Sequence, residues 1–323
     1  MRAVQITSFG DPVAAVEFAE VPEPPAPAEG EVLVGVEFAP VNYNDLLVLG
    51  GKFPVRPTLP SFAGNEGVGR VEAVGPGVTE VVVGDRVILP LYSFTWRERM
   101  IVPAEGLFAV PEEIDAQQAA MLRINPPTAI LLLDEYVALK PGDWIVQNAA
   151  NSGVGRSVIA AARSRGIRTV NLVRRGEAIA EVKAIGGDVV LLDEPGIAAT
   201  LSDLTGGAEI RLAIDGVCGT ATSRLLACLA QGGALVNYAQ MSGDLTAPGD
   251  LLSMKRGLSI HGFYQALPRF KPRIPAIMRE VVKMAAAGKI AQPIGRTYTL
   301  SGAKEAVAAV ANGTRVMFDV CAT

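Results

Sequence analysis

The chain is poor in the residues from which most catalytic metal sites are built. Its 323 residues include one histidine, His261, and three cysteines, Cys218, Cys228 and Cys321, none of them in a Cys-x-x-Cys pair. Zinc sites require closely spaced cysteine, histidine or carboxylate ligands. The sequence therefore gives no support to a zinc ribbon, a disulfide framework or a histidine-based metalloprotease. We expect the cysteines to be small core residues and His261 to lie in a strand.

Long apolar runs and a strong charge of one sign are also missing. The chain is 50% hydrophobic and 19% charged, with a net charge of −4. No uninterrupted apolar stretch reaches the roughly 18 residues typical of a membrane-spanning helix, and the first residues, MRAVQITSFGDP, do not resemble a signal peptide. A small negative charge gives no general attraction to nucleic acid or anionic membranes. We therefore expect a globular, cytoplasmic protein that acts on a small molecule and binds neither nucleic acid nor membrane.

The chain has two regions with different patterns of predicted secondary structure. Residues 1–118 contain short strand patterns separated by Gly and Pro turns. Among them are EVLVGVEFAPV (31–41), GVGRVEAVGPGV (67–78) and VVVGDRVILPL (81–91), the last of which breaks at Gly84-Asp85. From about residue 119, short apolar strands alternate with helical segments, a pattern that predicts βαβ units and a doubly wound parallel sheet. The final segment, 288–323, is too short for its own core. We therefore predict a β-rich domain of 1–118 completed by 288–323, and an α/β domain of 119–287.

The segment QNAANSGVGRS (147–157) follows a predicted strand and precedes a predicted helix. In that position, small residues let the backbone approach the pyrophosphate of a dinucleotide, whose charge the helix N-terminus stabilises. Ala150 and Ser152 replace two glycines of the usual Gly-x-Gly-x-x-Gly pattern, but both are small, and Gly153 and Gly155 remain. We interpret the segment as a dinucleotide-binding loop, with an ordinary strand-to-helix turn as the alternative.

Arg174 and Arg175 stand at the end of the next predicted strand, in NLVRRGE. NAD sites usually place Asp or Glu about 20 residues after the loop, where the carboxylate binds the ribose 2′-hydroxyl. A guanidinium instead matches a phosphate with two parallel hydrogen bonds. The pair therefore predicts NADPH, although two solvent-exposed arginines at a strand end would give the same pattern.

Several motifs resemble those of the medium-chain dehydrogenase/reductase superfamily, in the same order and over essentially the whole chain. They are APVNYND, LPSFAGNEGVGRVEAVGPGV, VGDRV, PPTA and NSGVG. The combination of INPPTA (124–129), TWRE (95–98), QNAANSGVGR and VNYAQMSG (236–243) resembles the mitochondrial-type 2-enoyl thioester reductases, with the quinone oxidoreductases next. This resemblance implies a GroES-like β-barrel catalytic domain, a Rossmann domain that binds NADPH, and a homodimer formed through the Rossmann domain.

The same resemblance implies roles for individual residues. Asn125 would reach the nicotinamide amide or ribose, and Asn42 would line the substrate cleft. The cofactor phosphates would be bound by the loop residues Asn151, Ser152, Gly153, Val154 and Gly155 and, at the 2′-phosphate, by Arg174 and Arg175. The nicotinamide half would be flanked by Tyr238, Met241, Phe263 and Tyr264.

Two positions depart from patterns in this superfamily. Its zinc-dependent alcohol dehydrogenases carry a Gly-His-Glu motif with a zinc-binding histidine, but this chain has Asn65 in GNEG and no cysteine before position 218, so we expect no zinc. Enoyl thioester reductases have a tyrosine in a GxYP-like segment that orients the substrate or donates a proton. The matching segment, GGKFPVRP, has Phe53, which cannot donate a proton. Tyr43 is the candidate replacement, and packing beneath the nicotinamide is its alternative role.

Three functions remain open at the level of sequence. The first is NADPH-dependent, zinc-independent hydride transfer to the activated C=C bond of an enoyl thioester or enone, with a tyrosine or water protonating the α carbon. The second is quinone reduction, which needs no dedicated donor because a quinol takes its proton from solvent, and which Phe53 favours. The third is a non-catalytic NADPH-binding sensor, which would tolerate the loss of the tyrosine.

Overall fold

The computed structural model describes residues 1–245 and 254–322. The chain forms two compact units: unit 1 comprises Met1–Ile124 and Met278–Thr323, and unit 2 comprises Asn125–Ile277. Unit 2 thus begins at the first residue of a helix, six residues later than the division expected from the sequence.

The second boundary also differs in position, since it falls inside a helix rather than after it. The helix Ile274–Ala286 begins in unit 2, and its later turns border the same cavity as Leu107 and Phe108 of unit 1. The division thus falls inside one continuous helix, a position that sequence periodicity alone does not show.

The strands and helices follow the expected order: a β-rich segment, an α/β segment, and a carboxyl-terminal segment that belongs to the first unit again. The strands are β1 (Arg2–Ile6), β2 (Val16–Glu20), β3 (Glu31–Val41), β4 (Ser61–Phe62), β5 (Val68–Val74), β6 (Arg86–Ile88), β7 (Arg99–Pro103), β8 (Phe108–Ala109), β9 (Trp144–Gln147), β10 (Arg168–Val173), β11 (Val189–Leu192), β12 (Ile210–Asp215), β13 (Ala234–Asn237), β14 (Ser259–Gly262), β15 (Arg296–Tyr298) and β16 (Val316–Asp319). The α-helices are α1 (Pro12–Ala15), α2 (Tyr43–Leu49), α3 (Ala116–Ala120), α4 (Asn125–Glu135), α5 (Gly153–Ser164), α6 (Glu177–Ala184), α7 (Ile197–Thr205), α8 (Thr220–Cys228), α9 (Ile274–Ala286) and α10 (Ala303–Ala311). None of the helices within the described ranges has the length and apolar character needed to cross a membrane.

Unit 1 contains a three-stranded sheet, β2-β1-β4, and a larger sheet along β15-β16-β3-β5-β6-β8, with β7 also paired to β3. The carboxyl-terminal segment contributes directly to this unit, because β16 pairs antiparallel with β3 and aligns Phe318 with Ala39. The Phe318 ring packs edge-on against the fully buried Trp96, with 5.1 Å between the ring centroids. Leu300 and Val307 of the same segment belong to this core.

Unit 2 contains a parallel sheet of six strands in the order β11-β10-β9-β12-β13-β14. This is the strand order of a Rossmann fold, so the prediction of a doubly wound parallel sheet is confirmed. The order reverses on the two sides of β9. Ligands of such sheets bind outside the carboxyl ends of the strands at this point of reversal, which is where the predicted dinucleotide loop begins.

Two local predictions are wrong. Val82 and Val83 do not form a strand, since the Val82 N–H donates to the Asp85 carboxylate at 2.9 Å in a turn and the Val82 side chain is 63% exposed. The turn requires Gly84, whose φ is +97°, and the strand begins only at β6. Cys321 is exposed rather than in the core, whereas Cys218 is buried.

The expectation for His261 is confirmed. It lies in the edge strand β14, with Nε2 at 2.9 Å from the Ser259 hydroxyl and its ring beside Tyr136. The contacts of His261 with Ser259 and Tyr136 therefore fit a structural role in the strand.

We expect Phe318→Ala to lower the free energy of unfolding of unit 1 by about 3–5 kcal/mol, because it empties a ring-sized space beside Trp96. The chain has two tryptophans, so urea unfolding in a Trp144→Phe background can be followed by the fluorescence of Trp96 alone. Phe18→Ala is the matched control; that ring is 41% exposed, and its loss should cost less than about 1 kcal/mol. Equal effects of the two substitutions would contradict the structural role of β16.

Candidate functional site

The predicted dinucleotide loop connects β9 to α5 at the point where the sheet order reverses. Ser152 is the N-cap of α5, and its hydroxyl accepts a hydrogen bond from the Gly155 N–H at 3.1 Å. Gln147, buried at the end of β9, donates to the Gly155 carbonyl at 3.0 Å and to the Asn171 side chain at 2.8 Å. The loop is therefore fixed to β9, β10 and the first turn of the helix.

Close packing accounts for the two glycines of the loop. A Cβ atom at Gly155 would lie 2.6 Å from the carbonyl oxygens of Ala149 and Ala150, so no side chain fits where the helix crosses the strand end. A Cβ at Gly153 would lie 2.6 Å from Asn125 Nδ2, which places the Asn125 amide over the start of the helix. The structure thus places the Asn125 amide beside the loop. A small-residue cradle at a helix N-terminus fits a pyrophosphate.

A buried carboxylate holds the neighbouring turn against this loop. Asp215, at the end of β12, accepts hydrogen bonds from Asn148 Nδ2 at 2.7 Å, from the Val217 and Cys218 N–H groups at 2.9 Å, and from the Thr222 hydroxyl at 2.6 Å. Sequence reasoning missed this network. Its signal is an aspartate that ends an apolar strand and is followed by glycine, a position where a side chain can cap the turn.

The residues predicted to flank the nicotinamide follow the next two strands. Tyr238 comes directly after β13, and its hydroxyl oxygen lies 3.4 Å from the Ser152 hydroxyl. Burial raises the pKa of Tyr238 to about 12. The Met241 N–H donates to the Gly216 carbonyl at 3.1 Å, which keeps the exposed Met241 beside the turn after β12. The Tyr238 phenol thus contacts the loop at Ser152.

Phe263 and Tyr264 directly follow β14 at the same edge of the sheet. The Phe263 ring stacks on that of Phe270, with 5.5 Å between the centroids, and its N–H donates to Asn237 at 2.7 Å. Because the carboxyl ends of parallel strands meet at one edge, these residues lie on the same side of the sheet as the loop.

Arg174 and Arg175 directly follow β10, and both are exposed. The Arg175 guanidinium lies 3.4 Å from the Glu177 carboxylate, an exposed pair that contributes little to stability. Both arginines therefore stand at the carboxyl edge of the sheet, where a cofactor phosphate could replace the solvent around them.

In unit 1, Asn42 and Tyr43 stand at the start of α2. The Asn42 N–H donates to the Asp45 carboxylate at 2.6 Å, and its side-chain amide donates to Glu66 Oε1 at 2.8 Å. Tyr43 is 38% exposed. The amide of Asn42 is thus held by a buried carboxylate, whereas Tyr43 is partly exposed to solvent.

Glu66 is the centre of a buried group of charged and polar side chains that we call the Glu66 cluster: Asn42, Asp45, Glu66 and Arg123. Glu66 is fully buried, and its Oε2 accepts a hydrogen bond from the Ile124 N–H at 2.9 Å. Burial raises the pKa of Glu66 to about 7, although the hydrogen bonds from Asn42 and Ile124 and the charge of Arg123 act to lower it. Burial also raises the pKa of Asp45, and the nearby Glu66 charge raises it further.

Sequence reasoning did not identify this cluster. Arg123 is nearly as buried as Glu66, and loss of water lowers the pKa of its guanidinium to about 10, still far above neutrality. The signals in the sequence are single charged residues inside apolar stretches, Glu66 in GNEG and Arg123 in MLRIN. Such residues are rarely buried unless they are paired.

Phe53, at the position where the resemblance implies a tyrosine, is in contact with another aromatic ring. The Tyr92 ring meets it edge-on, with 5.7 Å between centroids and 67° between planes. Asn65, in the place of the zinc-binding histidine, is buried and accepts the Tyr92 N–H on its carbonyl at 2.9 Å. Within residues 1–245 and 254–322, no three His, Cys, Asp or Glu side chains are grouped so as to hold a metal ion.

Comparisons with known proteins agree with this architecture. Residues 28–112 match the family model of the alcohol dehydrogenase GroES-like domain, and residues 153–287 match the model named zinc-binding dehydrogenase. The mitochondrial enoyl-acyl-carrier-protein reductase of Dictyostelium discoideum is 36% identical over 274 residues, which cover 81% of this chain and 77% of the relative.

Solved structures show the same fold. A mycobacterial quinone oxidoreductase is 29% identical, with a TM-score of 0.84 over 98% of this chain and 99% of that one. The mitochondrial 2-enoyl thioester reductase heterodimer of Candida tropicalis is 23% identical, with a TM-score of 0.88 over 98% and 99% of the two chains.

The GroES-like and Rossmann parts together define a medium-chain dehydrogenase/reductase. Within this superfamily, the chain belongs to the family of the mitochondrial enoyl-acyl-carrier-protein reductases.

We expect Glu66→Gln to change how stability depends on pH. The folded-state pKa of Glu66 lies above its ordinary value of 4.5, so between about pH 4.5 and 7 the folded protein holds a proton that the unfolded chain releases. Stability is therefore lost as the pH rises through this window, by about 3 kcal/mol for such a shift. Urea unfolding at several pH values between 4.5 and 8 should show a loss smaller by roughly that amount in Glu66→Gln.

The exposed Glu20 provides the control for this measurement. Glu20→Gln should leave the pH dependence of unfolding as in the wild type. If Glu66→Gln did the same, the raised pKa of Glu66 would be contradicted.

Proposed function

We propose that the protein uses NADPH to reduce the activated C=C bond of a 2-enoyl thioester. The observation that carries the proposal is the small-residue loop at the reversal of the parallel sheet, with Asn125 packed on Gly153 and two arginines after β10. Curated relatives that are 34–36% identical to this chain are named mitochondrial enoyl-acyl-carrier-protein reductases. Their activity becomes a hypothesis for this chain because a loop of small residues at a helix N-terminus fits the pyrophosphate of a dinucleotide.

The residues of unit 2 have separate roles in this proposal. Asn151, Ser152, Gly153, Val154 and Gly155 bind the pyrophosphate at the start of α5, and Arg174 and Arg175 bind the 2′-phosphate. Asn125, Tyr238, Met241, Phe263 and Tyr264 enclose and orient the nicotinamide half. The bound cofactor supplies a hydride, and the protein contributes position and the exclusion of water.

In unit 1, Asn42 and Tyr43 are proposed to face the substrate. The hydrogen bond from Asn42 to Glu66 fixes the amide, so that its carbonyl oxygen is oriented by a buried partner rather than by solvent. Loss of that partner would let the amide rotate. No metal ion is required by this scheme, because conjugation with the thioester carbonyl already makes the β carbon electrophilic.

Quinone reduction is the second candidate function, and Phe53 is the observation that favours it. A quinol takes its proton from water, so the enzyme needs no phenol at that position. The mycobacterial relative is named a quinone oxidoreductase. We also propose a homodimer formed through unit 2, which has an edge strand, β14, with the apolar Ile260 exposed on it.

The three candidate functions can be separated by one assay. Purified protein is mixed with NADPH, and oxidation of the reduced nicotinamide is followed with crotonyl-CoA, an aliphatic enone and a naphthoquinone in parallel. We expect turnover with crotonyl-CoA. Turnover confined to the naphthoquinone would replace the proposal by quinone reduction, and tight NADPH binding without turnover of any acceptor would favour the sensor.

The cofactor assignment predicts that Arg174→Ala combined with Arg175→Ala weakens NADPH binding by about 10- to 100-fold. Each charge-assisted pair with the phosphate contributes about 1.5–3 kcal/mol, part of which solvent replaces at an exposed site. Nicotinamide fluorescence titration measures the Kd, and NADH provides the internal control because it lacks the 2′-phosphate. Equal losses for NADH and NADPH, or no loss for either, would refute the 2′-phosphate role.

A further inference from the structure

We propose that Tyr92 takes the place of the tyrosine that is missing at position 53 and donates the proton that completes C=C reduction. This assignment rests on the enoyl reduction proposed above. Three independent features of unit 1 support it: the ring contact with Phe53, the backbone conformation of Tyr92, and the charges behind it.

The first feature is proximity. Phe53 occupies the position at which the resemblance implies a substrate-facing tyrosine, and its ring lies edge-on to that of Tyr92 at 5.7 Å between centroids. Tyr92 is half-buried, so the residue is neither enclosed in the core nor fully surrounded by water. A phenol is therefore present one ring away from the place where the hydroxyl is absent.

The second feature is an unusual backbone conformation. Tyr92 has φ +61°, a left-handed value that is a genuine outlier for a bulky residue, and Phe94 has the same φ. Hydrogen bonds hold this segment in place: the Tyr92 N–H donates to the Asn65 carbonyl at 2.9 Å, and the Thr95 hydroxyl donates to the Glu66 carbonyl at 2.7 Å. Conformations of this kind persist where surrounding contacts impose them, and they concentrate at functional sites.

The third feature is the charge distribution around the phenol. The guanidinium of Arg123 is buried and interacts electrostatically with both Tyr92 and Glu66. Asp45 also interacts electrostatically with Glu66. A cation facing the phenol stabilises the phenolate that remains after proton transfer, and it does so strongly because burial excludes water.

The proposed step balances as follows. Addition of hydride to the β carbon leaves an enolate, and the Tyr92 O–H bond breaks as a C–H bond forms at the α carbon. The Tyr92 phenolate then takes a proton from water. Each turnover thus adds one hydride and one solvent-derived proton across the C=C bond, and the protein is returned to its starting state.

The test compares Tyr92→Phe with the wild type, using crotonyl-CoA and the naphthoquinone as acceptors. We expect kcat for crotonyl-CoA to fall by about 100-fold or more, the range for loss of a general acid, while quinone reduction stays within about threefold. NADPH affinity by fluorescence, crotonyl-CoA affinity by calorimetry without cofactor, and the thermal midpoint should change little. The decrease of kcat/KM at alkaline pH, where the donor loses its proton, should disappear.

Two further variants separate a chemical role from a structural one. Phe53→Tyr in the Tyr92→Phe background restores a phenol at the other ring of the pair, and we expect it to recover at least tenfold of the lost rate. Tyr298→Phe makes the same chemical change at another partly buried tyrosine of unit 1 and should leave the rate unchanged.

The outcomes separate this assignment from the function on which it rests. If the wild type reduces crotonyl-CoA and Tyr92→Phe does so equally well, the Tyr92 assignment is overturned while enoyl reduction stands. A large loss in Tyr43→Phe with none in Tyr92→Phe gives the role to Tyr43 and also overturns it. If the wild type reduces no enoyl thioester, both proposals fail. If Phe53→Tyr in the Tyr92→Phe background is as slow as Tyr92→Phe alone, the claim that Tyr92 takes the place of a tyrosine at position 53 is overturned.

Discussion

The burial of one carboxylate, that of Glu66, determines the arrangement of the candidate site in unit 1. A buried charge is tolerated only when its oxygens are hydrogen-bonded and a counter-charge is near. Glu66 meets this requirement through the Asn42 amide, the Ile124 N–H and the Arg123 guanidinium. The requirement brings together the start of α2, the GNEG segment and the last residues before unit 2. The need to stabilise one buried carboxylate thus positions residues that are far apart in sequence.

In unit 2, the corresponding constraint is the close approach of α5 to the end of β9. Gly155 must lack a side chain there, because a Cβ would meet two carbonyl oxygens. At position 152 a serine is compatible with the loop and also caps the helix. The two missing glycines of the motif therefore do not remove the physical requirements of a phosphate loop, since small size and a capped helix N-terminus are what the ligand needs.

Much of the fold could be predicted because periodicity and turn residues are local signals. The pattern of 31–41 gave β3 with its observed ends, and the alternation after residue 119 gave the parallel sheet. The position of the segment 147–157 between a strand and a helix also followed from sequence. Three features did not follow from sequence. The high β propensity of Val82 and Val83 suggested a strand up to the break at Gly84-Asp85, although both residues belong to the turn. The Glu66 cluster and the Asp215 network depend on side chains that meet only after folding. No local pattern encodes such long-range partners.

The contact between Phe53 and Tyr92 has a consequence for how enzymes of this kind are compared. Alignments examine one position at a time, so a phenylalanine in a tyrosine column is scored as a lost function. Two aromatic residues from separate segments can be in contact. A tyrosine at one position can then be replaced by phenylalanine after a tyrosine has arisen at the neighbouring position. Surveys of reaction chemistry in such families should therefore count functional groups by their place in space, so that an apparently inactive chain is not set aside for a substitution that its own neighbour offsets.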